Sequence, residues 1–134
     1  MIKDSIEQYT HGLQHVGIPT LDMTATTDFW KKLGFTLKGS FENGPVMVKF
    51  FELNNLVIET WEASIEEANQ KVGAINHISI DTDDAEALFA ALKGNDLNVL
   101  NDEVQQLPFW ENGIKFFNIQ GPNQEIVEFC EIVK

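Results

Sequence analysis

Two histidines and two glutamates stand at matching places in the chain. His15 is the third residue of Leu13-Gln14-His15-Val16-Gly17-Ile18, and His77 is the third residue of Ile75-Asn76-His77-Ile78-Ser79-Ile80. Glu59 lies within Leu56-Val57-Ile58-Glu59-Thr60-Trp61-Glu62, and Glu128 within Ile126-Val127-Glu128-Phe129-Cys130-Glu131. All four runs read as strands. Alternation then puts His15 on a face with Leu13 and Gly17, His77 with Ile75 and Ser79, Glu59 with Val57 and Trp61, and Glu128 with Ile126 and Cys130. Each run is apolar on both faces and carries one ionisable group near its middle. A buried carboxylate without a partner costs several kcal/mol. Two neutral imidazoles and two carboxylates around one divalent ion remove that cost, and the donor set suits Zn, Ni, Co, Mn or Fe(II). Core histidines and edge-strand carboxylates facing water would explain any one of the four residues. They do not explain four placed by a common pattern.

That pattern is an internal repeat. Each His-bearing run gives way to a helical segment. In the first, Asp22 or Thr24 caps a helix through Phe29, Trp30 and Leu33 that stops at Gly34; in the second, 81–84 lead into Ala85, Leu88, Phe89 and Leu92, with a stop at Gly94. Lys49-Phe50-Phe51 recurs as Lys115-Phe116-Phe117, and each triplet is followed by a polar hairpin turn, 52–55 or 120–124, and then by the Glu-bearing run. With a strand at 36–41 and another at 97–100, each half is βαβββ. The predicted organisation is a single domain over 1–134, with modules at about 12–62 and 74–132 joined by a polar linker at 63–73. The predicted class is α+β.

A chain of 134 residues with ten Phe and three Trp holds enough apolar material for a core. The net charge is −12, which repels phosphate backbones and anionic membrane surfaces, so neither nucleic acid nor membrane is an expected partner. All nine basic residues are Lys, and the bidentate guanidinium fork for carboxylates is missing. Cys130 is the single cysteine, so any metal must be held by His and carboxylates. The opening MIKDSIEQYT is not an apolar signal segment and no run of eighteen apolar residues follows, so a cytoplasmic location is the expectation.

The motifs Gln14-His15-Val16, Val57-Ile58-Glu59, Asn76-His77-Ile78 and Ile126-Val127-Glu128 resemble the vicinal oxygen chelate superfamily over about 12–131, and bacterial glyoxalase I in the ligand pattern. The resemblance implies paired βαβββ modules in a cupped mixed sheet, one divalent transition ion held by His15, Glu59, His77 and Glu128, a small-molecule substrate and a homodimer. It also implies a lyase or isomerase that works through an enediolate, in which Glu128 moves a proton between adjacent carbons while Glu59 acts on the other face or stays bound. The four-ligand set separates this reading from two others in the superfamily, an Fe(II) dioxygenase with three protein ligands and a bleomycin-resistance-like sequestering protein that has lost its ligands. The chain departs from the glyoxalase I pattern at the positions expected to hold the glutathione carboxylates, which are Pro19 and Ala63 here. A different thiol adduct, or a related oxyacid, fits the chain as well.

Trp61, Trp110 and Phe117, together with Phe109, are the candidate walls of a substrate pocket. Aromatic residues at strand spacing more often form plain core, and Trp110, in the loop 107–113, is the strongest candidate of the set. Cys130 reads as a small buried hydrophobe on the face of Glu128. His11 reads as solvated. Asp81, Asp83 and Asp84 start a helix, since the glycine and the terminal Glu of a calcium loop are missing.

Overall fold

A computed structural model describes residues 2–68, 73 and 75–134. The chain divides into two compact units, 1–69 and 70–134. The expected linker at 63–73 and the expected module start at 74 fall partly outside the described residues. Among the described residues no helix is long and apolar enough to cross a membrane.

The first unit begins with a helix that the sequence reading did not anticipate, α1 (Ile2–Tyr9), which is exposed along its described length. Next come β1 (Val16–Thr20), α2 (Met23–Lys32), β2 (Thr36–Asn43), β3 (Val46–Leu53) and β4 (Leu56–Glu62). The four strands form one sheet in the order β1-β4-β3-β2, with β1 parallel to β4 and the other neighbours antiparallel. Asp22 caps α2 by accepting the amide N–H of Ala25 (3.0 Å), and Gly34, just past the helix, takes a left-handed φ of +92°. The helix lays Trp30 against Phe29 and Phe35 in edge contacts at 4.9 and 5.0 Å. Trp30, Phe51, Ile58, Thr20, Thr26 and Thr60 are completely buried. Ile58 and Thr60 thus face the core while Glu59 between them points to the other side of the sheet. The paired hydroxyls of Thr20 and Thr26 (2.8 Å) tie the end of β1 to α2.

The second unit contains β5 (Ile78–Asp81), α3 (Ala85–Lys93), β6 (Asn98–Val99), β7 (Gln105–Leu107), β8 (Ile114–Gln120) and β9 (Ile126–Ile132). Its sheet runs β5-β9-β8-β6, with β5 parallel to β9, and β7 shares the free edge of β8 with β6. The expected strand at 97–100 shrinks to two residues, and the three-residue β7 is an addition to the simple βαβββ order. Asp84 caps α3 through the N–H of Ala87 (3.0 Å). Under that helix Phe117 packs on Phe89 and Phe129, each at 5.3 Å between ring centroids.

The repeat is imperfect in one respect that matters for the site. Lys49-Phe50-Phe51 and Lys115-Phe116-Phe117 do not occupy equivalent registers. Phe50 lies opposite Glu59, but Phe116 lies opposite Cys130, and the residue opposite Glu128 is Asn118. The second hairpin closes at Gln120 and Ile126 across a five-residue turn, whereas the first closes at Leu53 and Leu56 across Asn54 and Asn55. The triplets match in letters and are offset in space.

The longer turn folds a carboxylate inward. Glu125 accepts the backbone N–H of Asn123 (2.7 Å) and its side-chain amide (3.3 Å), and a Cβ at Gly121 would fall 2.1 Å from Glu125 Oε1. Glycine at 121 is what leaves room for this side chain. Burial pushes the Glu125 carboxyl above its ordinary value of 4.5, and the bonds from Asn123 pull it down by less. The folded state therefore holds this proton more readily than the unfolded chain does. The resulting stability is present below the ordinary value and is lost as pH rises through the raised one. Glu125→Gln is expected to remove that loss. Urea midpoints measured for both proteins from acid to neutral pH check it, and parallel curves would refute it.

Candidate metal centre

In the first unit the ladder between β1 and β4 begins at Val16 and Ile58 and pairs Gly17 with Glu59. His15 therefore stands one residue ahead of the strand, not inside it as its alternating run suggested. Its Nδ1 is hydrogen-bonded to the side-chain Oε1 of Gln14, and its Nε2 lies 3.4 Å from Glu59 Oε1. Phe50, opposite Glu59, meets the imidazole edge-on at 5.9 Å. Trp61 donates its indole N–H to Glu67 (3.0 Å), and its ring lies so close over Gly17 that an added Cβ would come within 3.0 Å of it. The His15 and Glu59 side chains are 37% and 26% exposed, so the pair is reachable from solvent.

The second unit repeats the arrangement with different neighbours. His77 stands one residue ahead of β5, again outside the strand expected to contain it. Its Nδ1 is bonded to Asn76 Oδ1 (2.9 Å), and its Nε2 lies 3.9 Å from Glu128 Oε2. Ser79 pairs with Glu128 in register and donates its hydroxyl to Glu128 Oε1 (2.8 Å). Two residues on, the Cys130 thiol is held above its ordinary pKa by burial first and then by the carboxylates of Glu128 and Asp81.

Gln14 and Asn76 carry a role that the sequence reading did not assign. An amide oxygen only accepts, so the imidazole Nδ1 facing it carries the proton. In the neutral ring Nε2 is then a bare lone pair directed at a carboxylate oxygen. Two lone pairs facing each other need a positive charge between them, which either a proton on Nε2 or a metal ion supplies. The separations, 3.4 and 3.9 Å, exceed the usual 2.7–3.2 Å of an N–H···O bond. Metal–ligand bonds of about 2.0–2.2 Å put donors on one ion roughly 2.8–3.6 Å apart for square to tetrahedral angles. The first pair, at 3.4 Å, falls within that range, and the second, at 3.9 Å, lies beyond it. The donors also have the outer-sphere support that metal-bound histidines require. Within neither unit do the described residues bring together three or more His, Cys, Asp or Glu at metal-binding range. Each unit by itself offers two donors. The signal for the amides was present in the sequence, since an amide residue immediately precedes the histidine in both halves.

The aromatic candidates separate. Phe117 is fully buried beneath α3 and belongs to the core, not to an open pocket wall. Trp61 lies on the face of β4 that carries Glu59. Trp110 is 75% exposed with a left-handed φ of +61°. It opens onto a cavity of about 600 Å³ in the second unit, together with Leu107, Pro108, Ile114, Lys115 and Val133, and neither His77 nor Glu128 is in that lining. Phe109 beside it is exposed and outside the lining.

Similarity to known proteins is extensive. YwbC of Bacillus subtilis (strain 168), an uncharacterised protein, is 28% identical over 125 residues, which cover 89% of this chain and 96% of YwbC. Among solved structures, the genomically encoded fosfomycin resistance protein FosX from Listeria monocytogenes superposes with a TM-score of 0.70 at 16% identity, covering 92% of this chain and 95% of FosX. A glyoxalase family protein from Enterococcus faecalis gives 0.72 at 19% identity, covering 92% and 99%. At these identities the structural likenesses establish the fold, which is the α+β, glyoxalase-like one. Residues 12–129 match the family model of the Glyoxalase/Bleomycin resistance protein/Dioxygenase superfamily, and the chain belongs to that superfamily.

Proposed function

We propose that this protein is a divalent-metal-dependent lyase or isomerase of the glyoxalase I type, with the ion held by His15, Glu59, His77 and Glu128. The observation that carries the reading is the pair of repeat-equivalent His–Glu couples, each with its imidazole Nδ1 anchored on the preceding amide and Nε2 turned to a carboxylate. A sequestering protein has no need of that arrangement in both halves. A divalent ion held there would supply Lewis acidity, polarising a substrate carbonyl and acidifying the C–H on the neighbouring carbon. The protein's own part is to move a proton between neighbouring carbons on Glu59 or Glu128.

The substrate class in this reading is a small dicarbonyl–thiol adduct or a related oxyacid. Pro19 and Ala63 provide no cation for the glutathione carboxylates, and the absence of Arg throughout the chain supports a smaller or less charged thiol. The reading includes a homodimer, as the resemblance implies. To test it, protein loaded in turn with Ni, Co, Zn and Mn is assayed on hemithioacetals of methylglyoxal with glutathione, cysteine and 2-mercaptoethanol. Metal-dependent isomerisation is expected, falling by about 10²–10⁴ in Glu59→Gln as the loss of a general acid–base group does. Full isomerisation in Glu59→Gln would instead show that Glu59 is not the acid–base group. Absence of turnover with every metal would favour the binding protein.

A further inference from the structure

The row of residues that crosses the second sheet at Glu128 is polar throughout. Ser79, Glu128 and Asn118 lie in register on β5, β9 and β8. The row equivalent by the repeat, on β1, β4 and β3 of the first sheet, is Gly17, Glu59 and Phe50. The Ser79 hydroxyl has its partner, since it donates to Glu128 Oε1 (2.8 Å). The Asn118 side chain has none among the described residues. Phe117 and Ile119, its neighbours along β8, are completely buried, as is Val127 next to Glu128. Alternation therefore puts the Asn118 and Glu128 side chains together on the face turned away from this core.

The backbone brings the two close. The N–H of Asn118 donates to Asn101 Oδ1 (2.7 Å), and its carbonyl accepts the N–H of Leu100 (2.8 Å). Both main-chain groups thus point away from β9, which makes Asn118 and Glu128 a non-hydrogen-bonded pair. In such a pair the Cα atoms are about 4.5 Å apart and the side chains are at their nearest. Asn118 is half-buried, so its amide is partly withdrawn from water with nothing in the chain to replace it. Phe50, edge-on to His15 at the equivalent place, shows that the fold accepts an apolar residue in this register.

Resting on the reading of Glu128 as a group that acts on substrate, we infer that Asn118 is a substrate-binding residue, its amide hydrogen-bonded to an oxygen on the carbon next to the one that exchanges a proton. An amide both donates and accepts, so it suits that oxygen as a carbonyl and as a hydroxyl. The substrate class narrows to molecules bearing an oxygen there, of which 2-hydroxy acids are the simplest.

The test is a titration of the full chain, isotope-labelled and equilibrated with zinc, with lactate and with propionate, which lacks only the hydroxyl. The Asn118 side-chain amide signal is identified by its loss in Asn118→Asp. Lactate is expected to shift that signal and propionate to leave it in place. In Asn118→Leu, which keeps the side-chain volume and removes the amide, lactate affinity measured by calorimetry should fall by about 2–10-fold, the worth of one neutral hydrogen bond, with propionate binding unchanged. Asn118→Ala repeats the measurement if the leucine variant does not fold. The same response to both acids, no response to either, or wild-type lactate affinity in the variants would overturn the inference, and hemithioacetal turnover by wild-type protein would then leave the proposed function standing. A lactate-specific shift in protein that turns over no hemithioacetal would overturn the isomerase reading and leave Asn118 as a binding residue.

Discussion

Trp30→Ala is expected to destabilise the protein by about 3–5 kcal/mol, the range for emptying a large aromatic site in a packed core. Trp30 is completely buried, and its edge contacts to Phe29 and Phe35 add roughly 0.5–1.5 kcal/mol each beyond the buried area. Trp30→Phe should cost clearly less, for a reason specific to this position. The indole Nε1 is buried with no acceptor among the described residues, and an unpaired buried donor costs about 1–3 kcal/mol. Phe removes that donor while keeping most of the ring contacts. Urea unfolding of the three proteins decides the matter, and equal losses in the two variants would contradict it. The expectation reaches the site through β4, where Ile58 and Thr60 face this core and Glu59 between them faces away.

His15→Ala and His77→Ala are each expected to abolish tight divalent-metal binding, even though the two residues lie in different units. Each is the sole imidazole of its couple, and removing it leaves a carboxylate without its nitrogen partner. Asn76→Ala, which leaves the ring in place and removes only the acceptor for Nδ1, should weaken binding by about 10–100-fold through loss of ring orientation. This ordering, ligand loss above anchor loss, separates a metal centre from a pair of surface ion pairs. Exposed pairs of that kind contribute about 0–1 kcal/mol, and their removal leaves metal binding unaffected. Retention of tight binding by either histidine variant would contradict the account.

Much of this was legible in the sequence because its local chemistry is unambiguous. Aspartates before helical runs became the caps of α2 and α3, Asp22 and Asp84. The alternating runs around Glu59 and Glu128 became β4 and β9, closing strands of their sheets. The limits were of four kinds. Alternation reports side-chain parity but not where a ladder starts, so His15 and His77 were read into strands that begin one residue later. Letter similarity does not report register. Phe50 and Phe116 looked equivalent until the hairpins of different turn length placed Asn118, not Phe116, opposite Glu128. Short or isolated elements leave no periodic signal, which is why β7, only three residues long, and the exposed α1 were missed. Phe117 illustrates a fourth point, that an aromatic residue near a site motif is core when its parity faces the helix. The partners that tune the site, Gln14, Asn76, Ser79 and Gly17, are common residues whose roles appear only once the register is known.

The central claim is that the two His–Glu couples hold a divalent ion. It is tested most directly by the metal content of purified protein after incubation with Ni, Co, Zn or Mn and removal of free ion, with X-ray absorption on the loaded sample to count imidazole ligands. The account predicts about one ion per chain with two imidazole nitrogens in its coordination sphere. Protein that stays metal-free after exposure to all four ions would contradict it.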